Sequence, residues 1–197
     1  MAVFPGDTPF QEEFSMDFKA GHNLTVSSIK TTVHIGAHAD APSHYHPMGV
    51  SMDRRKLHYY LGKVQVIEVL TQKKHRILPK DFAVEIQAPR VLFKTNSYPD
   101  PNHWNSDFMS CSSELIQFLF SKNVILVGID TPSVDLADDK NLESHNSIYK
   151  YDMAILEGIV LSEVPAGIYD LVALPLNIEG ADATPVRAIL LELESLK

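Results

Sequence analysis

The stretch TTVHIGAHADAPSHYHP, residues 31–47, contains four of the chain's nine histidines. These histidines follow one another at intervals of four, six and two residues, and a glycine, an aspartate and a proline lie between them. Such a pattern is typical of three different structures: a solvated polar loop, a strand with one solvent-exposed face, or a metal site. The surrounding sequence has to distinguish between them.

The backbone geometry of this stretch limits how its histidines could meet. On an ideal strand His34 and His38 share a face but lie about 13 Å apart. Gly36 permits a bend between them without steric cost, and Pro42 disfavours continuation as an internal strand. The sequence therefore predicts a strand end that curls so that its even-numbered side chains converge.

The candidate ligands from spacing alone are His34, His38, Asp40 and His44. Imidazole nitrogen and carboxylate oxygen suit Zn²⁺, or Mn²⁺ if oxygen ligands prevail. A carboxylate among histidines can also bridge two ions, because it has two oxygens. The spacing is equally compatible with a metal site and with a polar strand edge whose histidines are hydrogen-bonded.

Composition excludes several classes of protein. At 197 residues the chain is expected to form a single domain, 1–197, with a sizeable core. A net charge of −8 without a basic stripe disfavours nucleic-acid and membrane-surface partners. The first residues lack a signal-peptide pattern and no apolar run is long enough to span a membrane, so we expect a soluble cytoplasmic protein.

A single cysteine, Cys111, rules out an intrachain disulfide and fits a reducing compartment. It could serve as a nucleophile, but its position before an apolar helical segment favours a packed thiol. No glycine-rich phosphate-binding loop is present, so nucleotide cofactors have no support.

Strands dominate the predicted elements. β-branched segments predict a strand or a hairpin at 23–35 and strands at 63–70, 90–95 and 123–130, with a closing pair at 167–178 and 184–193. Residues 112–123 predict a serine-capped helix, residues 141–156 a segment that begins as a helix, and residues 95–108 a loop. This order favours an α+β (mixed α/β) fold over a regular doubly wound sheet.

The segment HIGAHADAPSH (34–44) resembles the HxGTHxDxPxH signature of the cyclase superfamily of metal-dependent hydrolases, which includes bacterial kynurenine formamidase (arylformamidase) and isatin hydrolase. All fixed positions agree except that Ala37 replaces the threonine and removes a hydroxyl. The resemblance implies the superfamily's strand-rich, swivelling β/α-type single domain.

Three further segments carry the same resemblance. VFPGDTPF (3–10) is similar to the superfamily's entry segment, and residues 126–135 and 154–190 resemble the kynurenine formamidase branch. In that branch a histidine and a glutamate twelve residues apart complete a two-metal site. His145 and Glu157 have this spacing here.

The resemblance implies a role for each of these residues. One ion would be held by His34, His38, Asp40 and Glu157, and a second by Asp40, His145 and Glu157. His44 would then be the free acid/base, not a ligand. Read without the resemblance, His145 is an ordinary helix histidine, whereas burying Glu157 within the apolar AILEGIV would be costly without a cation.

Phe4 stands where the formamidase branch usually has a tryptophan that touches the substrate. A phenylalanine keeps a stacking face but loses the indole N–H, and a hydrophobic plug in the core is the alternative. Arg187 could pair with a substrate carboxylate or lie in solvent, and the sequence favours solvent.

The implied reaction is hydrolysis of N-formyl-L-kynurenine to L-kynurenine and formate. The implied cofactor is Zn²⁺, two per subunit, with Mn²⁺ as the alternative, and the implied assembly is a homodimer. Two alternatives remain: a related amidohydrolase acting on isatin or another cyclic or aryl amide, and a non-catalytic metal-binding protein.

Overall fold

The computed structural model describes residues 1–69 and 75–192. Leu70 and Leu193, each at the end of a predicted strand, lie outside the described residues. The described strands, in chain order, are β1 (Gln11–Met16), β2 (Val26–Lys30), β3 (His38–Asp40), β4 (Leu61–Glu68), β5 (Arg76–Ile77), β6 (Arg90–Lys94), β7 (Ser110–Cys111), β8 (Leu126–Ile129), β9 (Ala154–Glu157), β10 (Gly167–Val172), β11 (Ala183–Pro185) and β12 (Ile189–Leu191). The α-helices are α1 (Pro42–Tyr45), α2 (Ser113–Ser121) and α3 (Glu143–Lys150).

Eight of these strands form one mixed sheet in the order β11-β3-β9-β8-β6-β4-β10-β12. The four central strands β9, β8, β6 and β4 run parallel to one another. The strands outside them on both sides pair antiparallel. Antiparallel edges thus frame a buried parallel centre, which confirms the predicted mixed α/β class.

The centre of the sheet is apolar on both faces, as expected for parallel strands covered on each side. On β8, Val127 and Ile129 belong to one hydrophobic cluster, and Leu126 to the cluster on the opposite face. Helix α2 covers the first face with Leu115 and Leu119. The side chain of Ser112 accepts a hydrogen bond from the Leu115 N–H, so the predicted serine cap is present.

The segment before β3 differs from the predicted strand. Residues 31–37 bend rather than pair, and β3 begins only at His38. Pro42 then starts the short helix α1 instead of merely ending a strand. The predicted strand at 23–35 is confined to Val26–Lys30, which pairs with β1 in an antiparallel hairpin separate from the main sheet.

Two glycines lie back to back where the bend meets the end of β9. Gly158 has φ +60°, and a Cβ built on it would lie 2.1 Å from the carbonyl oxygen of Gly36, which itself has φ +58°. A side chain at either position is therefore strained, and at Gly158 it also collides with backbone. This contact sets the distance between the segments that carry His38 and Glu157.

Gly158→Ala is expected to destabilise the protein by about 2 kcal/mol or more, because overpacking adds to the left-handed strain. Gly180→Ala is the matched control, since Gly180 also has positive φ (+74°) but a Cβ added there would meet nothing within 4 Å. We expect it to cost only about 1 kcal/mol. Urea unfolding of both variants measures the difference, and equal losses would show that the collision is relieved elsewhere.

Candidate functional site

Four elements bring the predicted site residues to one edge of the sheet. His38 and Asp40 lie on the same face of β3, and His38 pairs in register with Glu157 on β9. His34 enters from the preceding bend and His145 from α3. Residues from distant parts of the sequence therefore converge on Asp40.

The contacts within this histidine–carboxylate cluster are short. His34 Nδ1 lies 3.1 Å from Asp40 Oδ1, and His38 Nε2 lies 3.2 Å from Glu157 Oε2. His145 Nε2 is 3.5 Å from Asp40 Oδ2 and 3.7 Å from Glu157 Oε1. Each carboxylate thus approaches different histidines with its two oxygens, the arrangement that a bridging carboxylate requires.

His44, on α1, lies beside the cluster. Its ring centroid is 4.2 Å from that of His34 and 6.0 Å from that of His145. It is the most exposed of these imidazoles, with 37% of its side chain accessible, compared with 17% for His34 and 4% for His145. Potential ligand atoms of Asp40, His44 and His145 nevertheless lie within 4.8 Å of one another, so geometry allows His44 either role.

The donor set fits a metal ion. His38 Nε2, both oxygens of Asp40 and His145 Nε2 are buried and have no hydrogen-bond partner among the described residues. Orphaned buried polar atoms are expensive, and several of them facing one point are better explained by a cation. A thiolate is absent from the cluster, so its chemistry is imidazole and carboxylate.

The electrostatics of the cluster favour positive charge. Burial lowers the pKa of His34, but its contacts with Asp40 and Asp182 outweigh this and raise the pKa to about 9. Burial acts in the same way on His145, and its contacts with Asp135 and Asp40 raise its pKa to about 10. Burial raises the pKa of Asp40, yet the surrounding imidazoles hold it well below its usual range. The same field that attracts protons here would attract a metal ion.

Asp135 is a site residue that the sequence analysis missed. Its Oδ2 accepts hydrogen bonds from the backbone N–H of His145 at 3.0 Å and from His145 Nδ1 at 2.8 Å. Its Oδ1 accepts from Arg76 at 2.7 Å and from the Ser144 N–H at 3.0 Å. Asp135 therefore fixes the His145 ring so that Nε2 points at Asp40.

Asp135→Asn is expected to lower metal affinity about 10–100-fold, because the amide cannot hold the His145 tautomer as the carboxylate does. Competition with a chromophoric chelator measures the affinity. Asp138→Asn, a nearby substitution outside these contacts, serves as the control. Unchanged affinity in Asp135→Asn would mean that His145 is oriented by other contacts.

Asp182 was also missed. Its Oδ2 lies 3.0 Å from His34 Nε2 and 3.5 Å from His44 Nδ1. It precedes β11, the edge strand that pairs with β3, so no local spacing relates it to either histidine. Asp182 links the orientation of these two rings.

The cluster lies in the wall of a cleft of about 670 Å³. Phe4 lines this cleft together with Tyr98 and Trp104, and its ring is 4.5 Å from that of Trp104. Phe4 is thus in the cleft and not a plug in the core. Arg187 is exposed and does not line the cleft.

Cys111 is buried on β7, and burial raises the pKa of its thiol. A buried thiol with a raised pKa is a poor nucleophile. The structure therefore supports the expectation of a packed cysteine.

Comparison with known proteins identifies relatives over nearly the whole chain. The family model of the putative cyclases matches residues 1–136. The kynurenine formamidase of Bordetella petrii is 42% identical over 193 residues, covering 97% of this chain and 92% of that protein. The kynurenine formamidase of Bordetella pertussis is 41% identical over 194 residues, with the same coverage.

Solved structures show the same architecture. A predicted metal-dependent hydrolase from Bacillus stearothermophilus superposes with a TM-score of 0.80 at 26% identity, covering 96% of this chain and 91% of that one. Isatin hydrolase A from Labrenzia aggregata, bound to benzyl benzoate, superposes with a TM-score of 0.76. That match covers 96% of this chain and 87% of that one, and its 21% identity shows a shared fold only.

A mixed sheet whose edge gathers histidines and carboxylates in the wall of a cleft is an arrangement suited to a metal-dependent hydrolase. The chain belongs to the cyclase family, which confirms the resemblance found in the sequence. Among the described residues, no helix has the length and apolar character needed to cross a bilayer.

Proposed function

We propose that this chain hydrolyses N-formyl-L-kynurenine to L-kynurenine and formate. The observation that carries the proposal is a cluster of five imidazole and carboxylate side chains in a chain 42% identical to a kynurenine formamidase over 97% of its length. It is thus a hydrolase of an amide C–N bond, with a small aryl amide as its substrate.

Two metal ions, Zn²⁺ first and Mn²⁺ second, are the proposed cofactors. His34, His38, Asp40 and Glu157 would hold one, and Asp40, His145 and Glu157 the other. The support is the set of orphaned buried atoms and the contacts of Asp40 with His34 and His145. When bound, such ions supply Lewis-acid activation of water and of the scissile carbonyl.

His44 is the proposed acid/base. Asp182 Oδ2 approaches His44 Nδ1, which leaves Nε2 to accept a proton from the attacking water. The same nitrogen can then donate that proton to the aryl nitrogen as the C–N bond breaks, so that the leaving amine departs neutral. The partial exposure of His44 allows its ring to meet substrate in the cleft.

The cleft also supports a small substrate. Its wall combines the cluster with the aromatic side chains of Phe4, Tyr98 and Trp104, which suits an aryl group beside a polar reacting centre. Phe4 is proposed to contact this aryl group.

A substrate panel tests the proposal. Metal-loaded protein is assayed for kynurenine and formate release from N-formyl-L-kynurenine, with isatin alongside and a chelated sample as control. We expect chelator-sensitive turnover of the formamide that exceeds turnover of isatin. Turnover of isatin alone would reject N-formyl-L-kynurenine as the substrate. Binding of metal without turnover of either compound would favour the non-catalytic alternative.

A cytoplasmic homodimer is the proposed state of the chain. The hairpin of β1 and β2 supports the dimer, because an isolated two-stranded sheet is marginal in water and its residues are almost all exposed. Large apolar side chains on and beside it, among them Phe14, Phe18 and Ile29, are open to solvent. Sedimentation equilibrium of the purified protein distinguishes a dimer from a monomer.

A further inference from the structure

Trp104, the chain's single tryptophan, occupies a distinctive position in the cleft wall. Its ring centroid lies 4.5 Å from Phe4 with an interplanar angle of 61°, 6.3 Å from Tyr98 and 6.1 Å from the fully buried Phe108. Edge-to-face pairs at these distances attract one another. Three rings therefore hold the indole, which lines the cleft.

The loop that carries Trp104 is fixed at its start. Asp130, which follows β8, accepts hydrogen bonds from the Thr95 and Asn96 N–H groups, each at 2.8 Å. Asn96 adopts a left-handed conformation with φ 53°, which sends the chain sharply away from β6. Ser97 Oγ accepts from the Met109 N–H at 2.9 Å, so the two ends of the loop are tied together.

The N-terminal segment is hydrogen-bonded to the same loop. The Ala2 N–H donates to the Pro101 carbonyl at 2.8 Å, and the Asp7 N–H donates to the Phe4 carbonyl at 3.0 Å, closing a turn at Gly6. The backbone segments that carry Phe4 and Trp104 are therefore both held by hydrogen bonds. A rigid aromatic wall of this kind loses little entropy when a ligand binds.

We propose that Trp104 recognises the aryl ring of the substrate beside Phe4, and that the contact with Phe4 also fixes the indole. The inference rests on the proposed function only in assuming an aryl amide as substrate. Phe4 and Trp104 pack edge to face, and an indole has a larger π surface than a phenyl ring. Selectivity for aryl over alkyl amides would thus reside in the loop of residues 95–109.

Trp104→Leu tests the inference, because leucine keeps an apolar side chain but removes the ring. We expect KM for N-formyl-L-kynurenine to rise about tenfold while kcat changes less than about twofold, as for binding shared by substrate and transition state. Trp104→Phe should restore most of the loss. Phe120→Leu is the control, since Phe120 is an exposed aromatic that stacks on Tyr151 and does not line the cleft.

A binding measurement separates this inference from the proposed function. Calorimetric titration of the metal-loaded protein with L-kynurenine should give a Kd about tenfold weaker in Trp104→Leu, with metal content unchanged. Should the leucine variant fail to fold, Trp104→Met is measured in its place.

Each outcome has one meaning. Hydrolysis of the formamide with KM and Kd unaltered in the variants would overturn the role of Trp104 and leave the proposed function intact. If the unsubstituted protein hydrolyses isatin instead, the same comparison of KM with isatin decides the role of Trp104, while the proposed substrate is rejected.

Discussion

Asp40→Asn is expected to abolish metal binding and to lower kcat/KM by at least about 10³-fold, because several kcal/mol of metal-derived stabilisation are lost at about 1.4 kcal/mol per decade. Asp40 is the common neighbour of His34, His38 and His145. Asparagine has the same shape but removes the negative charge and one acceptor oxygen. The fold should persist, and circular dichroism checks that it does.

Elemental analysis of the purified variant, together with kynurenine release, measures both effects. Asp107→Asn, an exposed aspartate in the loop of residues 95–109, is the matched control and should retain metal and activity. An Asp40→Asn protein with full metal content would show that Asp40 is not shared between the ions. A variant with full turnover would remove Asp40 from the mechanism.

His44→Ala is expected to keep the bound metal and to lower kcat about 10²–10⁴-fold, the range typical of a lost acid/base. The reason is that the aryl amine leaves poorly unless its nitrogen is protonated. KM should change little, because His44 acts on the transferred proton. Metal content and steady-state kinetics on the same preparation measure the two effects.

His46→Ala is the matched control for this variant. His46 lies two residues further along and stacks on Tyr149 with ring centroids 3.7 Å apart, so its loss removes an imidazole without touching the cluster. Loss of metal in His44→Ala would assign His44 as a ligand, an outcome that its proximity to Asp40 and His145 makes worth measuring.

Local sequence patterns predicted much of the fold. The β-branched run ending in LVGI predicted the buried strand β8, and the serine before an apolar helical repeat predicted α2 and its cap. These predictions succeed because strand and helix preferences act over a few residues. Strand β1, which pairs with β2, escaped prediction because Gln11–Met16 lacks the alternation typical of a strand that packs on a core.

Spacing alone indicated the site only where its residues repeat, at 34–44, and the family resemblance was needed to add His145 and Glu157. An extended chain would separate His34 from His38 by about 13 Å, yet their ring centroids lie 5.1 Å apart. The bend at Gly36 brings them together, as its glycine suggested. Neither Asp135 nor Asp182 belongs to that repeat, and each reaches its histidine through a contact made by the folded chain. Trp104 likewise acquires its place only when the loop of residues 95–109 meets Phe4.

Turnover of N-formyl-L-kynurenine is expected to depend on metal held by the histidine–carboxylate cluster. Metal-free protein prepared by chelation is titrated with Zn²⁺, and bound metal and kynurenine release are measured in the same samples. We predict that turnover is absent without metal, rises with bound Zn²⁺ and reaches its plateau at two ions per chain. Full turnover of the formamide by metal-free protein would show that the reaction needs no metal in the cluster.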